Sequence, residues 1–409
     1  MGWALSCIRI GSNCKIAGLV CCFYGLLRGP APRHSKATKL TDEFQDRLAR
    51  GARNLLLNCA QCQSGDELLV IIESGGTGYY DPNLGPALQD AAKECGMESD
   101  LISVPFDSEV HDPDEALMQK MDAADCTVFL ARLGDQIRFR PKNSSTTQVI
   151  SYALDCEMMA SPFGVIDYQA FEALKGLINN AVEGSIDIHV TCPAGTDFRG
   201  SPAAFSAQGR DTTSKRFPVS VFAPIPAFGF RGRVAQNGFL TGTGSQYYTP
   251  WSCALKDTLF VEFEDNHITG FDGTPEDVAA AKAHYDFVGT KYGIDTYYVH
   301  SWHAGIHPGC NYPVPAGRDF ARWSGGAFGN PRLLHLHTCG AYPPGEISLN
   351  LLDTTVRLDG VALWEDGRLY PERIEGGAAL LAQHPEMAAV FDTPAPDVGQ
   401  AASGILEHG

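Results

Sequence analysis

Apolar positions first recur with helical spacing after residue 40. Phe44, Leu48, Ala52, Leu55 and Leu56 share one face behind a capped start at Thr41-Asp-Glu-Phe, and the pattern runs to Cys59. A tight alternation of elements follows. Residues 68–72 (Leu-Leu-Val-Ile-Ile) have the length and continuity of a buried strand, and Ser74-Gly-Gly-Thr-Gly78 closes it with a loop. Residues 86–95 predict a helix, 101–106 a strand, 114–124 a helix and 126–131 a strand. That order is β-α-β-α-β, a parallel sheet with helices on its faces. A further helix is expected over 168–182.

From residue 185 the texture changes. Residues 186–191 and 258–264 alternate with a period of two, broken by Gly, Pro, Asn and Asp turns. More strands are expected over 333–337, 346–352, 360–363 and 367–370, interrupted by one helix over 275–292. The expected fold class is α/β plus α+β. Residues 38–184 form an N-terminal parallel-sheet α/β domain, and residues 185–409 a strand-rich, mixed α+β domain. Residues 1–37 are expected to be a basic, disordered extension. No repeat of solenoid period is visible.

Charge narrows the partners. The 409 residues hold 31 basic and 48 acidic side chains, for a net charge of −17. Residues 1–37 carry five basic residues and no acid, so the rest of the chain is more acidic still. Such a surface repels phosphate backbones and anionic lipid, which excludes nucleic-acid binding and points away from membranes. The apolar run over 16–27 is shorter than the ~20 residues of a membrane span. Gly29-Pro-Ala-Pro-Arg33 makes a poor cleavage site, so 1–37 reads as an extension rather than an export signal. Thirteen scattered cysteines, an odd number, suit a reducing compartment, and a cytoplasmic location is expected. Cys59-Ala-Gln-Cys62 has the spacing of a redox or zinc half-site but no second pair to complete it, and reads as inert core thiols. The Ser74–Gly78 loop does not match a dinucleotide fingerprint and lacks the Lys of a P-loop.

The informative feature is histidine. Five of the 12 fall within a short stretch: His300, His303, His307, His335 and His337. His335-Leu-His337 sits in a strand-like run, where residues two apart project from the same face and two imidazoles can share one metal. His300-Ser-Trp-His303 lies on a Gly/Pro-broken segment able to approach that face. This assigns the second half of the chain as the metal-binding domain. Imidazole-rich sites suit Fe, Zn, Cu or Ni, and a few nitrogens per ion leave open positions for chemistry. Glu346 and Asp353 are the nearby carboxylates that would complete or serve such a site. Trp302, Phe320, Trp323 and Phe328 are candidates for an aromatic lining or for plain core.

Three blocks carry a family resemblance: His189-Val-Thr-Cys-Pro-Ala-Gly-Thr-Asp-Phe198, Glu262-Phe-Glu-Asp-Asn-His-Ile-Thr-Gly-Phe-Asp-Gly273 and the His335-Leu-His337 strand. Together they resemble a superfamily of aminopeptidase T-type thermophilic metallopeptidases and 2,5-dihydroxypyridine 5,6-dioxygenases, over roughly residues 45–370. The peptidase branch implies two metals held by several acids, one group in an N-x-P-T-E-E-like segment. Residues 237–246 stand in that place and contain no acid. The chain is similar, rather, to the dioxygenase branch, whose resemblance implies one Fe(II) held by an upstream His and a downstream H-x-D pair. His335 matches the first member of that pair, and His337 stands where the Asp is expected. The upstream ligand falls on His300 or His303. The expectation is an Fe(II)-dependent ring-cleaving dioxygenase acting on a hydroxylated aromatic or N-heteroaromatic small molecule. His307 would be its proton shuttle and Arg199 an anion clamp. The alternative is a hydrolase using Zn-activated water, an aminopeptidase or amidohydrolase, with Glu346 as general base. The resemblance also implies a homodimer.

Overall fold

Strand β1 (Glu67–Ser74) splits its side chains between two cores, as a strand buried on both faces must. Leu68 and Val70 pack with Leu48, Leu55 and Leu88, while Leu69 and Ile71 pack with Met121 and Leu133. The computed structural model describes residues 42–109, 113–140, 146–202, 206, 212–340 and 344–401. The extension expected over 1–37 lies outside the described residues.

β1 is joined in parallel by β2 (Glu98–Pro105), β3 (Cys126–Leu130), β4 (Thr147–Ser151) and β7 (Lys215–Phe217), in the order β2-β1-β3-β4-β7. The last strand comes from well beyond the helical half of the chain. Helices α1 (Asp42–Arg53), α2 (Leu84–Glu94) and α7 (Tyr168–Gly184) contribute to the core on the Leu68 side. Met121 of α3 (Glu115–Ala123) and Leu133 of α4 (Arg132–Gln136) pack on the other. The helical pattern leading to Cys59 is present, but its last turn, Asn54–Cys59, widens to π geometry. Short helices α5 (Cys156–Ala160) and α6 (Pro162–Val165) lead into α7.

The remaining strands form two antiparallel sheets. One has the order β13-β12-β9-β6-β5-β17-β18-β19. It comprises β5 (Ile188–Thr191), β6 (Asp197–Gly200), β9 (Phe230–Gln236), β12 (Leu259–Glu264), β13 (His267–Asp272), β17 (Thr355–Leu358), β18 (Val361–Glu365) and β19 (Arg368–Leu369). The other, which carries the histidines, runs β11-β10-β16-β15-β14-β8. Its members are β8 (Ile225–Pro226), β10 (Phe239–Thr241), β11 (Ser252–Ala254), β14 (Val299–Ala304), β15 (Leu333–Cys339) and β16 (Glu346–Leu352). Helix α8 (Pro275–Tyr292) starts where the sequence predicts. The Thr274 side chain accepts from Asp277 N, Pro275 occupies the first turn, and Gly293 ends the helix at φ +64°. Helices α9 (Phe320–Gly326), α10 (Gly377–Gln383) and α11 (Pro385–Asp392) complete the fold. The architecture is α/β plus α+β, as expected.

The Ser74–Gly78 loop is a structural turn. Gly75, Gly76 and Gly78 all have positive φ, and Thr77 Oγ1 donates to Glu73 Oε1 at 2.6 Å. Glu73 in turn accepts from Arg132 Nε at 2.9 Å and Nη2 at 2.7 Å, and this pair is almost fully buried. The nine described cysteines are free thiols, and burial pushes Cys59 up to about 12.

Candidate metal centre

The two-residue period of the central strands gathers the site. β14 pairs antiparallel with β15, setting His303 opposite His335 and Ser301 opposite His337. β16 extends the row, with Asn350 opposite His335 and Ser348 opposite His337. One sheet face therefore carries Ser301, His303, His335, His337, Ser348 and Asn350. The intervening residues Trp302, Leu334, Leu336 and Leu349 go to the apolar side, where all four are buried. The register shifts between Val299 and Ser301, so His300 sits at a bulge and falls outside the row.

His303 is the centre of the cluster. Its Nε2 lies 2.9 Å from His335 Nε2 and 3.1 Å from His337 Nε2. His303 Nδ1–H donates to the Phe222 carbonyl at 2.9 Å, which leaves the Nε2 lone pair facing the other two rings. His337 Nδ1–H donates to Glu346 Oε1. With both rings neutral, as ligation requires, two Nε2 lone pairs face one another, an arrangement that a cation beside them relieves. His335 is buried against Phe328, ring centroids 4.3 Å apart and nearly parallel, and its Nδ1 has no hydrogen-bond partner. Burial, reinforced by the neighbouring His303, His337 and Arg216, holds His335 well below the ordinary histidine range and hence neutral.

These three imidazoles fit a metal ion. Two nitrogens at right angles on an ion ~2.1 Å away lie ~3.0 Å apart, close to the observed 2.9 and 3.1 Å. The three ligand atoms all lie within 4.8 Å of one another. Glu346 orients one of them: a carboxylate behind a ligating imidazole fixes its tautomer and raises its basicity. Burial raises the Glu346 pKa, but His337 beside it wins, and the carboxyl lies below its usual range.

The cluster opens on a cavity of about 350 Å³. Phe139, Tyr152, Phe163 and Phe328 supply aromatic walls, and Asp135, Arg138 and Arg216 supply charge. Asp135 is tied down from three sides. Arg138 Nη1 lies 2.7 Å from its Oδ2, Ser245 N donates to Oδ2 at 3.0 Å, and Tyr152 OH donates to Oδ1 at 3.2 Å. Gly244 is required next to it, at φ +67°, because a Cβ there would overlap the Asp135 carboxylate. None of these charged residues stands in a recognisable motif. The signal for them is topological: Asp135 follows β3, Tyr152 follows β4, and Ser220 and Val221 follow β7, at the carboxyl ends of parallel strands where open α/β sheets bind ligands.

The other sequence candidates fall elsewhere. His300 lines the cavity, but its Nδ1 pairs with Ser301 Oγ at 2.7 Å, outside the group of three. His307 does not reach the cavity lining. It is stacked 3.7 Å from Phe171 and edge-on to Phe163, its Nδ1 accepts from Gly309 N, and burial lowers it to about 3. Arg199 lies exposed on β6, paired with Asp187 through Nε and, at 2.9 Å, Nη2. Asp353 is bidentate with Arg332, at 2.6 and 2.8 Å, in the turn after β16. Of the four aromatic candidates Phe328 lines the cavity; Trp302 packs between Phe198 and Phe230, and Phe320 and Trp323 pack on Phe239.

Fold and site together define a chain with a three-histidine group able to hold a metal, set in a cavity between an α/β half and antiparallel sheets. No family model matches the sequence, and no curated protein does. Among solved structures, the chain is similar to 2,5-dihydroxypyridine dioxygenase from Pseudomonas putida KT2440, at 14% identity and a TM-score of 0.56. That likeness covers 80% of this chain and 99% of the other. Wild-type AmpT from Thermus thermophilus is matched over 80% of this chain and 99% of its own, at 13% identity and a TM-score of 0.46. The first of these shares the fold of this chain. Among the described residues no helix is long and apolar enough to cross a membrane.

Proposed function

We propose that the protein is an Fe(II)-dependent dioxygenase that opens the ring of a hydroxylated aromatic or N-heteroaromatic small molecule. The observation that carries this reading is the convergence of three imidazoles, from His303, His335 and His337, at an aromatic-walled cavity. Those three residues would hold the ion, and His300 stands beside them without joining the group. Bound Fe(II) supplies the one-electron chemistry through which dioxygen reacts with an electron-rich ring. The protein's part is to position and to exclude water. Phe328 fixes the plane of His335, and Glu346 fixes His337. Tyr152 and Phe163 provide flat apolar surface for a ring, and Asp135 locks Arg138 and Tyr152 in place.

Replacing the expected Asp by His337 removes a negative charge from among the direct ligands. Glu346 returns it one imidazole away, so the site with its buried carboxylate keeps the charge of a two-histidine, one-carboxylate centre. Iron is favoured over the zinc hydrolase on this ground: Glu346 is engaged in holding His337. The hydrolase reading draws on Glu346 Oε2, which is buried in the cavity wall with no hydrogen-bond partner and would serve as a base. A homodimer is carried with the proposal from the family resemblance.

Metal-free protein reconstituted anaerobically with Fe(II), beside a Zn(II) sample, separates the two. Oxygen uptake with dihydroxypyridines or diphenols is expected with Fe(II) alone. Bound iron is expected to be lost in His303→Ala, His335→Ala and His337→Ala and retained in His300→Ala. Absence of uptake, with amide or peptide cleavage by the Zn(II) sample, would replace the dioxygenase by the hydrolase.

A further inference from the structure

A ring hydroxyl, like that of tyrosine, ionises at about pH 10. A neutral substrate therefore carries its hydroxyl proton into the cavity and has to shed it there if its oxygen is to meet a cation as an anion. His307 does not reach the cavity lining and cannot take that proton. The three histidines of the group have to stay unprotonated to serve as ligands. Glu346 lines the cavity too, but protonating it would remove the charge that orients His337. Among the described residues that line the cavity, the remaining basic groups are His300 and Asp135. His300 sits at the bulge of β14 with its Nδ1 on Ser301 Oγ.

Asp135 comes with a route. It lies in α4, just after β3, and Tyr152 directly follows β4, the neighbouring strand. Both side chains line the cavity, and Tyr152 OH donates to Asp135 Oδ1 at 3.2 Å. The two carboxylate oxygens are used unequally. Oδ2 lies 2.7 Å from Arg138 Nη1 and accepts from Ser245 N at 3.0 Å, whereas Oδ1 is given to Tyr152. Burial and the Asp135 charge raise Tyr152 above the ordinary phenol range, so it holds its proton at neutral pH. That proton is directed at Asp135, which leaves the lone pairs of Tyr152 Oη for a donor in the cavity. Arg138 Nη1 also donates to the Asp135 backbone carbonyl at 2.9 Å, so the guanidinium keeps its place when the carboxylate gains a proton.

We propose that Tyr152 and Asp135 form the proton relay of this cavity: Tyr152 takes the hydroxyl proton of the bound ring and passes its own to Asp135. The substrate O–H bond breaks and a new O–H bond forms at Tyr152 Oη. The former Tyr152 O–H bond breaks and one forms at Asp135 Oδ1. The electron pair stays on the ring oxygen and nothing is oxidised or reduced, so one negative charge has moved from Asp135 to the ring. Tyr152 is thus a catalytic residue as well as a wall for the ring, and Asp135 acts through it. The ring's place rests on the ring-cleaving reading, but the relay is tested without turnover.

The test uses the full chain loaded with Fe(II) under strict exclusion of oxygen. The probe is 4-nitrocatechol, whose absorption moves to longer wavelength on ionisation, mixed by stopped flow at a pH where the free probe is protonated. The wild type is expected to ionise the probe on binding, more slowly in D2O than in H2O. Tyr152→Phe and Asp135→Asn are each expected to slow that phase about a hundredfold or more. The double variant should be no slower than the slower single one, because both changes fall on one path. Bound iron should be unchanged in all three, since neither side chain belongs to the ligand group. Thermal melting reports folding; if Asp135→Asn does not fold, Tyr152→Phe decides alone, since it removes a hydroxyl and leaves the Asp135–Arg138 pair in place. A wild type that does not ionise the probe, an undiminished rate in either folded variant, or slowing that multiplies in the double variant would overturn the relay. Ionisation by the wild type, slowed in the variants, with no oxygen uptake on any dihydroxypyridine or diphenol would leave the relay standing and overturn the ring-cleaving chemistry instead.

Discussion

Replacing Glu346 by Gln tests whether this carboxylate acts on His337 or on the substrate. The side chain is 3% exposed, and its Oε1 accepts the Nδ1–H of His337. Gln keeps the size and an acceptor oxygen but removes the charge. Hydrogen bonds to charged groups contribute ~1.5–3 kcal/mol and neutral ones ~0.5–1.5 kcal/mol, a difference of about 1–1.5 kcal/mol. At 1.4 kcal/mol per tenfold, metal affinity should weaken about tenfold, at the lower end of the ~10–100-fold loss typical when the partner of a ligating histidine is removed. Competition against a chelator of known affinity measures this directly, anaerobically for Fe(II) and in air for Zn(II), without any turnover. At saturating metal the rate should then fall less than about tenfold. A general base contributes ~10²–10⁴-fold. Unchanged metal affinity together with a loss of a hundredfold or more in rate would refute the positioning role and support the hydrolase.

Two predictions concern stability. Glu73 and Arg132 form a bidentate pair whose side chains are 3% and 7% exposed, with Arg132 over the Phe106 ring at 3.4 Å. Glu73→Ala leaves that guanidinium buried without its counter-charge and should cost about 3–5 kcal/mol in urea unfolding; a loss under 1 kcal/mol would show that water reaches Arg132. His284 and His307 are held at about 4 and about 3 by burial, below the ordinary 6.5. The unfolded chain takes up these protons as pH falls below ~6.5 while the folded chain does not. Their contribution to stability is therefore full above pH ~6.5 and lost on acidification, at up to about 1.4 kcal/mol per pH unit for each group. The loss ends near pH 4 for His284 and near pH 3 for His307. His307→Phe, which keeps the stack on Phe171, should flatten the curve by one group's share between pH 6 and 4.5. Parallel curves for the two proteins would refute the assignment.

The sequence by itself determined the local elements and the ligand types. The apolar run at residues 68–72 and the capped, glycine-ended helix over 275–292 appear where their patterns place them, because burial on both faces and terminal capping are written into adjacent residues. His335 and His337 share a face for the same reason, the two-residue period of a strand. Tertiary structure decided the rest. His303 rather than His300 reaches the group because a bulge at His300 shifts the register of β14 against β15, a pairing across about thirty residues that spacing does not encode. His307 lies close in sequence to His303, yet packing against Phe163 and Phe171 of the α/β half holds it neutral and away from the cavity. Asp135, Arg138, Tyr152 and Arg216 follow or lie in strands of the parallel sheet and meet the histidines of another sheet only when the two pack together. The charges of Asp135 and Arg138 are tolerable in the cavity wall because the two side chains pair with one another. That condition depends on which strands become neighbours, and it is settled only by the folded chain.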